Sequence, residues 1–207
     1  VDFGPTILNL TGTRIPSHMQ GKPFLGRNLP EKRSYVYGHR DRVDEVRDFS
    51  RSVRDKKYLY IRNYMPHLGY NQPTAWPDLG EIRHEFYKLA KSGKMTPAQL
   101  HFAGPRRPVE ELYDCQNDPL NLKNLVRSSN HQEILRKMRR EHLKYALKIR
   151  DWGFIPEYEA WERSKDSNGW KIGRSGSIPW EKILKAAELV GREKETKFLH
   201  NLDSDDE

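Results

Sequence analysis

At 207 residues the chain is long enough to bury a core as one domain, or as one domain with an appendage. Charged residues (32%) nearly match hydrophobic ones (35%), yet 11% aromatics supply large groups to bury and exclude a wholly disordered chain. A net charge of +8 draws polyanions such as nucleic acid, sulfated glycans or phosphorylated substrates without choosing among them, while a single cysteine, Cys115, excludes an internal disulfide framework and a multi-cysteine zinc site.

In chain order, Pro5 and Gly12 bracket a short helix through Thr6 to Leu10. The opening VDFGPTILNLTG has neither an initiator methionine nor the basic-then-apolar pattern of a signal peptide, and both ends read as cut. PSHMQGKPFLG reads as loop, and Tyr35 to Tyr37 as a brief strand. Phe49 to Val53 and Tyr58 to Tyr64 are β-prone runs joined by four polar residues, the signature of a hairpin. In the second run Tyr58, Tyr60, Arg62 and Tyr64 share one face, while Leu59, Ile61 and Asn63 share the other.

An insertion follows, with Ile82, Phe86 and Leu89 at helical spacing and Thr96 before Pro97 as an N-cap and N1 pair. Leu112 to Asp114 reads as another strand, closed by Asn117, Asp118 and Pro119. Ile134, Leu135, Met138, His142, Tyr145, Ala146 and Ile149 mark one face of a long helix, which Gly153 and Pro156 are expected to stop. Asn168 to Pro179 reads as loop, Trp180 opens a helix carrying Ile183, Leu184, Ala187 and Val190, and helical spacing resumes from Lys194 to Leu202. No apolar run approaches the length of a bilayer span, and no internal repeat recurs.

The segment YGHRDRVDEVRDFSRSVRDKK interleaves arginines with aspartates, which suits either anion binding by guanidinium forks or a mesh of internal ion pairs. Composition alone favours the mesh. His39, between Gly38 and Arg40, reads as an imidazole on a tight turn. The other histidines are scattered without metal-ligand spacing, and Cys115 sits in a turn-forming context with no neighbouring histidine or lysine to activate it. RNP motifs, zinc-finger spacing and a dominant basic stripe are all missing from the sequence, so no nucleic-acid partner is expected.

Three blocks in order then resemble type I sulfatases, of the alkaline phosphatase superfamily. VDFGPTILNLTG with the later QGKPFLG resembles the D-x-x-P-T helix and Q-G loop that follow the catalytic half. HRDRVDEVRDFSRSVRDKKYLYIRNYMP is similar to the family's C-terminal hairpin, and EELYDCQNDPLNLKNL to its E-L-Y-D closing strand and turn. Cys115 replaces a usual hydrophobic residue, and Leu120-Asn121 stand where an acidic residue is often found. The resemblance covers Val1 to Leu125, while DWGFIPEYEAWERS and PWEKILKAAELV resemble the helical extension of bacterial members.

This resemblance implies an α+β fold: the C-terminal subdomain of a sulfatase, a small antiparallel sheet with a packed helix, followed by a helical extension. The implied division is 1–30 as the end of the catalytic domain, 31–128 as the sheet subdomain with a helical insertion at about 78–104, and 129–207 as the extension. It implies a periplasmic or secreted hydrolase of sulfate esters, acting on a sulfated carbohydrate or aryl sulfate without membrane or nucleic-acid partners. A formylglycine nucleophile would be supplied upstream, because the chain has no C/S-x-P-x-R motif, and the resemblance places the calcium-binding carboxylates before the D-x-x-P-T helix, upstream as well. No catalytic or metal residue is then expected here, and His39, Arg40 and Arg42 are expected to touch the alcohol side of the ester, with Asp44 placed to position Arg42. The competing readings are a free-standing basic module for sulfated glycan or nucleic acid, and a phosphate-ester hydrolase of the same superfamily.

Overall fold

The computed structural model describes residues 1–191, in two compact units, Val1–Ser34 and the chain from Tyr35 onward. The expected helix at 194–202 lies outside the described residues.

In the first unit α1 spans Phe3–Leu10, starting earlier than Pro5 suggested because Asp2 takes the cap position and Pro5 sits inside the first turns, where its missing N–H costs nothing. The polar residues of this block stitch loop to helix. Asp2 accepts from the Lys22 amide at 2.9 Å and from the Arg33 guanidinium, Thr6 Oγ1 accepts from the Phe24 amide, and Asn9 Nδ2 donates to the carbonyls of Leu25 and Arg27. Gly26 adopts φ +107°, and a Cβ there would lie 2.6 Å from Asn9 Nδ2, so the loop can close on Asn9 only with glycine. The apolar side of α1 is left open: Phe3, Ile7 and Leu10 are each more than half exposed, whereas Leu8 is half-buried.

The second unit is built on a four-stranded antiparallel sheet in chain order, with β1 Val36–Arg40, β2 Ser50–Arg54, β3 Tyr58–Asn63 and β4 Glu110–Asp114. Asp55 Oδ1 accepts from the amides of Lys57 and Tyr58 and closes the β2–β3 hairpin. Beyond β4, Asn124 replaces a fifth strand. Its side chain accepts from the Leu112 amide and donates to the Glu110 carbonyl, and the Leu125 amide then bonds the Leu112 carbonyl, so the edge is covered.

The insertion holds α2 (Glu81–Lys91) and α3 (Pro97–Ala103); α3 opens with a complete capping box between Thr96 and Gln99. Neither helix has a buried residue; Trp76, Leu79 and Ile82 are more than 70% exposed.

Helix α4, Gln132–Ile149, packs across one sheet face. Pairing aligns Tyr37, Val53, Tyr60 and Leu112 in one row across the four strands, and the last three meet Leu125, Leu135 and Met138 in the core. Burying those side chains is the main drive for the fold, at roughly 1.5–3 kcal/mol each. Helix α4 ends at Arg150, which takes the left-handed cap position at φ +57°, instead of running to Gly153. Gly153 is needed for a different reason. A Cβ there would collide with Arg51 Nη2, so its absence makes room for that guanidinium. The extension continues with α5 (Glu157–Ser164), α6 (Gly169–Ile172) and α7 (Trp180–Ala187), so the expected loop at 168–179 contains a helical turn capped by Asn168.

Candidate functional site

Two residues further along each strand, the sheet presents a second row toward α4, made of His39, Arg51, Arg62 and Glu110. This row is polar, and three of its members are answered from the helical side. Arg51, 3% exposed, grips Asp151 with two bonds of 2.6 and 3.0 Å and reaches Asp41 at 2.9 Å. Arg62 donates to the carbonyls of Glu188 and Val190, and Arg139 of α4 pairs with Glu110, which also accepts from the Tyr60 hydroxyl at 2.7 Å. Burial opposes the charge on Arg51, yet Asp151 and Asp41 outweigh it and raise its pKa. Burial likewise pushes the Glu110 carboxyl up, but Arg139 and Tyr60 hold it below its ordinary value.

His39 stands in this row, on strand β1 and not on a tight turn. Its Nε2 lies 3.8 Å from Asp151 and its ring 5.9 Å from that of Tyr145. Burial lowers its pKa despite Asp151, which favours the neutral imidazole. Because side chains alternate along a strand, Arg40 faces the other way. Its Nε lies 2.8 Å from Asp48, its side chain is half exposed, and its two terminal amino groups have no partner among the described residues. Asp48 is fully buried and also receives the fork of Arg107 and the hydroxyl of Ser50. Burial works against that carboxylate, but Arg107 and Arg40 keep its pKa lowered.

Arg42 lies past the strand. It makes a two-pronged bond to Glu157 of α5 at 2.8 and 2.7 Å and donates to the Asp44 carbonyl, so the backbone of Asp44, not its carboxylate, steadies it. The three residues singled out from sequence therefore cluster along the chain at the end of β1, while their side chains serve three different environments.

The arginine and aspartate pairs that organise this region include Arg51–Asp151 and Arg107–Asp48, which sequence reading did not single out. A signal for the first existed. Arg51 shares strand parity with core residue Val53, and a charged residue at an inward position must find a partner. For Asp151, 100 residues away, no local pattern pointed to the pairing.

On the face opposite α4, Glu111 accepts from the hydroxyls of Tyr70 and Tyr113 and from Asn63 Nδ2 at 2.6 Å. Burial and the neighbouring carboxylate both raise the pKa of these tyrosines, so they act as neutral donors. The E-L-Y-D block is thus explained by folding: Glu111 and Tyr113 form this hub, Leu112 enters the core, and Asp114 Oδ1 anchors the turn through the amides of Gln116 and Asn117. Cys115 is half-buried with Sγ 3.5 Å from Asn121 Oδ1. Among the described residues, no three His, Cys, Asp or Glu side chains gather as a metal-holding group, and no helix is long and apolar enough to cross a membrane.

No family model matches the chain. An ulvan-active sulfatase of Formosa agariphila is 38% identical over 159 residues, 77% of this chain. The chain is homologous to the C-terminal part of a sulfatase. A second ulvan-active sulfatase of the same organism is 32% identical over 145 residues, 66% of this chain. The chain spans about a quarter of the length of these curated relatives, 27% and 26%. Among solved structures, a 2-O GAG sulfatase superposes with a TM-score of 0.47 at 21% identity, covering 73% of this chain and 25% of that one. A protein solved with its substrate D-glucosamine-2-N,6-O-disulfate gives 0.42 at 16% identity, covering 70% and 23%. The observed small antiparallel sheet with packed helices agrees with the expected fold class, as does the helical extension.

Proposed function

We propose that this chain is the substrate-rim and scaffold portion of a sulfuric ester hydrolase that acts on a sulfated carbohydrate. The observation that carries the reading is the 38% identity to an ulvan-active sulfatase over 159 residues. In this reading residues 1–30 close the catalytic domain, 31–128 form the sheet subdomain with its insertion at about 78–104, and 129–207 begin a helical extension. The open apolar side of α1, with Phe3, Ile7 and Leu10, then suits packing against the catalytic half of the same polypeptide. A periplasmic or secreted location goes with the same reading.

Calcium and formylglycine, which the family resemblance implies, do not fit the described residues. The carboxylates described above are engaged with arginines and turns, and Cys115 is followed by Gln116, Asn117 and Asp118 instead of the C-x-P-x-R context. The chain's own chemistry is therefore binding and orientation. Arg40 offers two free N–H-bearing groups from a guanidinium already fixed by Asp48, a geometry suited to a sulfate, carboxylate or hydroxyl oxygen of the sugar. His39, neutral, can donate or accept one hydrogen bond to a hydroxyl, and Arg42 completes the rim while tethered to Glu157. Such contacts lie outside the reacting centre and set which ester is held, more than how fast its bond breaks.

In the whole polypeptide, Arg40→Gln is expected to raise KM for a sulfated oligosaccharide about tenfold with little change in kcat, the loss of roughly one charge-assisted contact. A KM equal to wild type would remove Arg40 from the rim.

A further inference from the structure

A cavity of about 340 Å³ opens on the helical extension, between the end of α4 and the start of α7. It is lined by Arg150, Arg174 and Lys182 against one carboxylate, Glu181, with Gly176 and Trp180 completing the wall. These cations differ from those around the sheet. Arg150 and Lys182 have no side-chain partner among the described residues. Arg174 has no acidic one, since it lies 3.3 Å over the Trp170 ring and reaches only the Trp170 carbonyl. The floor is rigid by contrast: Trp180 is 4% exposed, its Nε1 donates to the Gly173 carbonyl at 2.8 Å, and its ring meets Trp152 edge-on at 6.2 Å. Arg150 is held at the mouth by its left-handed cap position, next to Asp151, which is itself locked to Arg51.

Three cations lining one concavity with a single carboxylate leave it net positive, which favours an anion there. The volume is that of a small-ligand site. We propose that this cavity is a second binding site, separate from the β1 rim, for a sulfated or uronic sugar unit, with Arg150 and Lys182 pairing its anionic group and Arg174 stacked on Trp170 beside it. The choice of an acidic sugar over other anions rests on the sulfated-carbohydrate reading above. The site would hold a polysaccharide chain at a distance from the reacting bond.

Titration of the protein with dextran sulfate, followed by tryptophan fluorescence, tests this, with neutral dextran and polyadenylate as comparisons. Dextran sulfate is expected to bind and to perturb the indole signal. Arg150→Gln/Lys182→Gln should weaken it at least about tenfold, and the exposed single change Lys182→Glu, which leaves the fold's buried groups untouched, should weaken it as well. Neutral dextran should not bind, and Arg40→Gln should change the affinity less than about twofold. No binding of dextran sulfate, undiminished binding by both cavity variants, or polyadenylate held as tightly with the same losses would overturn the proposal. Loss caused by Arg40→Gln alone would overturn the second site while leaving the sulfated-substrate reading in place. Cavity binding with an unchanged KM for Arg40→Gln in the whole polypeptide would leave the second site standing and remove only Arg40 from the rim.

Discussion

The end of β1 and the cavity beside α7 are both rich in arginine, and they differ in what answers the charge. At β1, Arg40, Arg42 and Arg51 each meet a carboxylate, and the two aspartates gripped there, Asp48 and Asp151, are almost fully buried. At the cavity, Arg150 and Lys182 have no side-chain partner among the described residues, and the lining holds a single carboxylate. The difference teaches that arginine density in the sequence does not locate an anion site. Of the three arginines at β1, Arg42 and Arg51 tie the sheet to the helical extension, and Arg40 pairs with Asp48 within the sheet subdomain.

Breaking the most buried of these pairs should have the largest effect. Asp151→Asn leaves Arg51 buried with only the half-exposed Asp41 to balance it, and is expected to lower stability by about 3–5 kcal/mol in urea unfolding. A loss below about 1 kcal/mol would mean that the pair is no more than a surface contact.

A smaller effect comes from pH. His142 of α4 is buried, bonds the Tyr64 hydroxyl at 2.6 Å, and burial lowers its pKa from 6.5 to about 4. The unfolded chain therefore takes up a proton near pH 6.5 that the native state refuses until about pH 4, so stability falls as pH drops through that window and levels off below it. The expected loss is on the order of 3 kcal/mol across the window, with His39, also lowered, adding in the same direction. Asp48 and Glu110, whose pKa values are lowered, add their own loss only below the ordinary carboxylate range. His142→Gln should flatten the slope between about pH 6.5 and 4.5, and an unchanged slope would show that the imidazole is not shielded.

The smallest effect is expected at the surface pair. Arg42→Gln removes a two-pronged bond to an exposed Glu157, and the unfolding midpoint should not move measurably, since solvent screens the pair. A clear shift would place Arg42 with Arg51 among the residues that hold the extension in place.

Much of this architecture was legible because it is local. The hairpin connection with Asp55, the N-cap at Thr96 before Pro97 and the apolar stripe of α4 each follow from short-range rules, and the structure realises all three. The site was less legible. His39 was expected on a turn because Gly38 precedes it, but Gly38 sits within β1, where a Cβ would lie 2.5 Å from Ser52 Oγ, so it serves close strand approach. Alternation along that strand then sends His39 and Arg40 to opposite faces, which a reading of adjacent residues as one patch cannot anticipate. Asp151 and Arg107 escaped because their partners lie 100 and 59 residues away, and such pairings appear only once the sheet and α4 are assembled. The cavity cations were equally hidden: Arg150 and Lys182 lie far apart in the chain, and each alone looks like an ordinary surface charge.

Sulfate release by the purified chain, with calcium present and an aryl sulfate as substrate, tests the central claim that the groups performing the hydrolysis are not among these residues. The account predicts no release above the uncatalysed background from a sample whose circular dichroism shows the folded sheet and helices. Turnover that scales with protein concentration and survives repurification would contradict it.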